Sequence, residues 1–219
     1  MNYPQAFGRA LPLIVAWSLI ACGASGPLVP DPPSGGSTNS IAIGPPASIA
    51  TVAPQAPPDE IRLRLARINS AIQRWRQADN LKIAKAAAEE ARNLIVGPGG
   101  PYYGDADRNG FIAGASNVGL LPGLKGETAL VNPEDGACVV RDVLGGSWRE
   151  PAKRWSTLDA AIRSWTVSKN TFPSLPSHPQ RIVGWATLAL STINLGAARE
   201  YGGHARLHID ITRKAVTHC

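Results

Sequence analysis

Residues 59–96 read DEIRLRLARINSAIQRWRQADNLKIAKAAAEEARNLIV, and this stretch decides the fold class. Ile61, Leu65, Ile68, Ile72 and Trp75 recur at spacings of four, three, four and three. That rhythm places one apolar stripe along an amphipathic helix. Asp59 and Glu60 open it, where the positive end of a helix dipole favours carboxylates. Leu81, Ala84, Ala88, Ala91 and Ile95 continue the stripe on a shifted face. Alanine favours helix, and Gly97-Pro98-Gly99-Gly100 ends it, so the pattern predicts a first helix over about 60–96.

The same reading extends toward the C-terminus. Ser147 and Glu150 have capping-box spacing with Pro151 just inside, and Trp148, Trp155, Leu158, Ile162 and Trp165 follow. These predict a second helix over about 148–167. Ser177-His178-Pro179-Gln180 repeats the capping signal, and Ile182, Ala186, Ala189, Ile193 and Gly196 form a stripe over about 178–200. Gly202-Gly203 then intervene. Beyond them Ala205, Leu207, Ile209 and Ile211 alternate as in a strand, while Leu207, Ile211 and Ala215 continue the helical register. We favour one long, kinked helix, because no other segment offers an obvious strand partner. The expected fold is all-α: a small antiparallel bundle of three or four helices. A Gly- and Pro-rich loop over 97–147 lies across one end. The tryptophans Trp148, Trp155, Trp165 and Trp185 belong to the core on this reading.

The composition is uneven. The chain has 219 residues, 22 Lys+Arg, 16 Asp+Glu and a net charge of +6, yet only Arg9 and Asp31 are charged among the first 58. A folded helical domain is therefore expected over 59–219, and other material before it. Nine of the 19 prolines lie in residues 23–58, which read as a semi-rigid spacer because proline fixes φ and lacks an N–H. Residues 1–21 carry Arg9 and then a short apolar run from Ala10 to Ala21. That run is too short to span a bilayer and has the plan of an export signal.

The run ends in Leu19-Ile20-Ala21-Cys22, which resembles the lipobox of bacterial lipoproteins. The resemblance implies cleavage before Cys22 and lipidation of Cys22. It also implies anchoring through lipid to the periplasmic or extracellular face of the cell envelope. The remaining Cys138 and Cys219 are then an even pair in an oxidising compartment, and we expect a disulfide between them.

Two segments carry candidate chemistry. Asp105-Ala-Asp107-Arg-Asn109-Gly110-Phe111-Ile112 resembles the first eight positions of an EF-hand-type calcium loop. Calcium takes six to eight hard oxygens, and a glycine at the sixth position permits the turn. The resemblance implies side-chain oxygens from Asp105, Asp107 and Asn109, and the backbone carbonyl of Phe111. Ser116 stands where the family has a bidentate Glu, so a further carboxylate must come from elsewhere, with Asp135 and Glu127 in reach along the chain. The second segment is Glu200, His204 and His208, spaced four and four, a helical spacing suited to a transition metal or to a metal-dependent enzyme.

Arg62, Arg64, Arg67, Arg74 and Arg76 make half of the first helix basic, either as a solvated face or as an aid to docking on an anionic membrane. Gly119 to Gly126 lacks the Gly-Lys-Ser/Thr order of a phosphate loop. There is no Ser or Cys nucleophile signature, and an exported chain is not expected to meet nucleic acid. The leading expectation is a non-enzymatic binding or structural-interaction module, calcium-stabilised and membrane-anchored. The alternative uses Glu200, His204 and His208.

Overall fold

A computed structural model describes residues 59–131 and 144–217. The segments read as an export signal and a spacer, the expected lipidation site Cys22, Asp135 and the expected Cys138–Cys219 disulfide lie outside the described residues.

Among the described residues the fold is all-helical, with five α-helices: α1 Asp59–Gln77, α2 Leu81–Val96, α3 Pro151–Arg163, α4 His178–Ser191 and α5 Leu195–Thr217. One 3-10 turn, Val167–Lys169, follows α3. α1 packs on α2 and α5, α4 packs on α2 and α5, and α3 packs on α4. The count exceeds the expected three or four because two predicted helices are each broken.

The first break falls at residues 78–80. Asn80 is extended, and its side chain accepts the Ile83 N–H at 3.0 Å, so a second helix starts there. The shifted stripe after Trp75 marks this restart. Both halves of the stripe are buried as expected: Ile61, Leu65, Ile68, Ile72 and Trp75 on α1, and Ala84, Ala88, Ala91 and Ile95 on α2.

The second break falls at residues 192–194, where Asn194 Oδ1 accepts the Ala197 N–H at 3.0 Å. Ile193, read as a stripe residue, is 92% exposed as a result. Gly202 and Gly203 instead lie inside α5. A Cβ on Gly202 would meet Arg76 Cγ at 2.9 Å and the Trp75 ring at 3.3 Å. The missing side chain is what lets α5 approach α1. Residues 204–212 are helical throughout, and the strand alternative fails.

α3 is shorter than expected. Its N-cap is Glu150, without a side-chain cap bond, and Ser147 Oγ accepts only the Arg149 N–H. Trp148, Trp155 and Trp185 are core residues as expected, and Trp165 is partly buried against them. The Trp75 indole donates to Ala198 O at 2.7 Å, which ties α1 to α5.

The loop after α2 is built onto the end of that helix. Leu121 N donates to Ile95 O at 3.0 Å, and Leu124 N to Gly99 O at 2.8 Å. The first bond satisfies a carbonyl that the C-terminus of α2 leaves open. Arg64 completes the join: its guanidinium donates to Leu94 O and Val118 O, both at 2.8 Å. Arg62, Arg67, Arg74 and Arg76 are exposed, as on a solvated face, and Arg64 is the exception. Arg64 is 8% exposed, Arg74 pairs with Glu90, and Arg62 pairs with Asp59. Burial pulls the Arg64 pKa below its usual value. No helix among the described residues is long and apolar enough to cross a membrane.

Candidate metal centre

The stretch from Asp105 to Ala113 lies along α2, and one buried acid holds it there. Glu89, in the middle of α2, is 0% exposed. Its Oε2 accepts the N–H groups of Ala106 at 2.6 Å and Asp107 at 3.0 Å, and its Oε1 accepts that of Ala113 at 2.8 Å. A buried carboxylate tolerates its desolvation only when hydrogen-bonded in this way. Asn93, one turn on, adds three more ties. Its Nδ2 donates to Gly104 O at 3.1 Å and Ala113 O at 2.8 Å, and its Oδ1 accepts the Gly104 N–H at 3.1 Å.

Within the loop, Asp105 Oδ1 accepts the Asn109 N–H at 3.0 Å and Oδ2 accepts that of Gly110 at 2.8 Å. Asp107 Oδ1 also accepts the Asn109 N–H, and Asn109 Oδ1 accepts that of Phe111. Arg108 and Gly110 sit at φ +60° and +89°, so the chain turns tightly about the acids. Ligand oxygens of Glu89, Asp105 and Asp107 all lie within 4.8 Å of one another. Among the described residues this is the one such group of three His, Cys, Asp or Glu side chains.

Sequence reasoning picked out Asp105, Asp107, Asn109 and Phe111, and they do share one loop. Of the two further carboxylates expected, Asp135 lies outside the described residues. Glu127 Oε2 accepts the Lys125 N–H at 2.8 Å and serves a different turn. Glu89 was missed because it precedes the loop and reaches it only through the packing of α2. Three carboxylates this close repel one another, and Ca²⁺ is a hard cation that takes such oxygens. Glu89, Asp105 and Asp107 are the hard oxygen donors that α2 and the loop bring together, while Asn109 turns its Nδ2 to Asp107 Oδ2 at 2.8 Å and its Oδ1 to the Phe111 N–H.

The second constellation does not assemble at one point. Glu200 Oε1 accepts from Asn170 Nδ2 at 2.9 Å, and His204 Nε2 lies 3.1 Å from the same amide nitrogen. His204 stacks on Trp185 with ring centroids 4.3 Å apart. His208 turns instead to α4, where its Nδ1 meets His178 Nδ1 at 3.0 Å. Burial pushes the His208 pKa down to about 3, helped by the positive charges of His178, Arg181 and His204. Helical spacing alone suggested a shared face. The packing of α4 and of the 164–176 segment against α5 divides that face between two sets of partners.

No family model, no curated protein and no solved structure matches this chain.

Proposed function

We propose that the chain is a cell-envelope lipoprotein, lipid-anchored at Cys22, whose helical domain is a non-enzymatic binding or structural-interaction module with a calcium-stabilised loop. The observation that carries the module reading is the role of Glu89. Both oxygens of this buried acid are engaged by backbone N–H groups of the loop. Such a group orders backbone rather than moving protons. Calcium at Glu89, Asp105 and Asp107 would relieve their mutual repulsion and fix the loop to α2. The Leu19-Ile20-Ala21-Cys22 motif supports the anchor, since two or more acyl chains give stable membrane attachment. A metal-dependent enzyme using Glu200, His204 and His208 is the weaker reading, because His208 pairs with His178 away from the other two.

Metabolic labelling with palmitate tests the anchor. The wild-type chain takes up label and stays with the membrane fraction, whereas Cys22→Ser does neither. Equal labelling of the two chains overturns the proposal.

A further inference from the structure

The Asp105–Ile112 loop ends in two apolar side chains that the fold does not bury. Phe111 is 77% exposed and Ile112 45%, directly after Gly110, which turns the chain at φ +89°. Their exposure does not come from a loose loop. Glu89 and Asn93 tie the loop backbone to α2 at Ala106, Asp107 and Ala113, and the Phe111 N–H donates to Asn109 Oδ1 at 2.8 Å. A tied backbone thus holds two adjacent apolar side chains out in water.

Cations gather beside them. Lys82 and Lys85, from the start of α2, and Arg108, from the loop, line one open depression of about 460 Å³ that Asp107 also borders. Lys82 and Arg108 are exposed. The acids of the loop are engaged: Asp105 and Asp107 accept the Asn109 N–H, and Asp105 also accepts that of Gly110. The surface joins an apolar tip to a cationic rim.

Two arguments choose the occupant. The first is size. A stable protein interface takes about 800 Å² from each partner, far more than two side chains offer. A bilayer needs no matching shape: insertion of a few apolar groups adds to the attraction of nearby Lys and Arg for anionic lipid. The second is reach. The depression borders Leu81, so the tip lies near the far end of α1 from Asp59, a separation of about 28 Å for its 19 residues. Residues 23–58, read as a proline-rich spacer, would extend on the order of 100 Å, so an anchor at Cys22 leaves the tip free to meet the same membrane.

We infer that this tip docks the domain on an anionic lipid bilayer, with Phe111 and Ile112 entering the interface and Lys82, Lys85 and Arg108 meeting lipid phosphates. The inference rests on the cell-envelope reading for the membrane it meets, but it needs neither the Cys22 lipid nor calcium. A chain that takes up no palmitate and still docks leaves it standing.

The test is sedimentation of the full chain, carrying Cys22→Ser, with vesicles of phosphatidylcholine alone and of phosphatidylcholine with phosphatidylglycerol in equal parts. The apolar run from Ala10 to Ala21 is common to every variant, so ratios between variants report the tip. Wild type is expected to partition at least about tenfold more strongly onto the anionic vesicles. Phe111→Ser/Ile112→Ser and Lys82→Glu/Lys85→Glu should each weaken that partitioning at least about tenfold. The lysine variant should leave binding to phosphatidylcholine alone unchanged. Arg62→Glu/Arg67→Glu makes the same change of charge on the exposed face of α1 and should weaken partitioning less than about threefold. Melting curves confirm that each variant is folded. Wild type binding both vesicles equally overturns the inference. So does either tip variant binding anionic vesicles like the wild type, or the α1 variant losing as much as Lys82→Glu/Lys85→Glu.

Discussion

Glu89 Oε1 and the backbone N–H of Ala113 meet at 2.8 Å across 24 residues of sequence. With the bonds from Glu89 Oε2 to Ala106 and Asp107, this contact makes one buried carboxylate the anchor of the loop. Glu89→Ala leaves three loop N–H groups without their acceptor. Each buried unsatisfied donor costs about 1–3 kcal/mol, so a loss on the order of 3–5 kcal/mol in urea unfolding is expected once water restores part of the bonding. Glu89→Gln keeps the shape and loses the charge, and should cost less. A loss under about 1 kcal/mol for Glu89→Ala would mean that the loop is held by other contacts.

Two neighbouring glycines should respond in opposite directions to the same change. Gly202→Ala drives a Cβ against Arg76 and Trp75 and should destabilise by about 1–3 kcal/mol through overpacking. Gly203 sits in the same helix with nothing within 4 Å of the added atom. Gly203→Ala should stabilise by about 0.5–1 kcal/mol, the ordinary helix preference of alanine. Thermal unfolding of both variants checks the pair. Equal effects would place the α1–α5 contact elsewhere.

His208 makes stability depend on pH with a definite sign. Its folded pKa, near 3, lies below the value of 6.5 for an unperturbed histidine. The folded state therefore binds fewer protons, and stability rises with pH over that interval. The contribution is complete above about pH 6.5 and is lost as pH falls toward 3. The His178–His208 hydrogen bond needs one ring nitrogen to accept, so it does not survive protonation of both rings. The melting temperature of wild type relative to His208→Gln should fall by about 3–8 °C between neutral pH and pH 4. A difference that stays constant with pH would show that His208 titrates normally in the fold.

How much of this was legible in the sequence varies from segment to segment. The α1 stripe from Ile61 to Trp75 was plain, because every member is buried. The break after Gln77 was readable in principle: Asn80 directly precedes an apolar run, and the stripe slips there. Alanine-rich sequence concealed it, since propensity favours helix straight through. The break before Leu195 was hidden for a similar reason, as Ile193 keeps the helical spacing while projecting into solvent. Gly202 looked like a helix breaker and is a packing device, a distinction made only by the approach of Trp75. The Asp105–Ile112 loop announced itself locally. Glu89 could not, because a carboxylate sixteen residues upstream joins the loop only through tertiary structure. The division of His204 from His208 likewise depends on where His178 and Asn170 are brought.

The central claim is that Glu89, Asp105 and Asp107 form a calcium-stabilised joint between α2 and the loop. Calorimetric melting of the full chain in excess calcium and in chelator tests it most directly, with Asp105→Asn/Asp107→Asn as the control. Binding to the folded state alone stabilises by about 2.7 kcal/mol at a hundredfold excess over Kd, which for a domain of this size raises the melting temperature by several degrees. The account predicts that rise in the wild-type chain and its absence in the double variant. Superimposable wild-type melting curves in calcium and in chelator would contradict it.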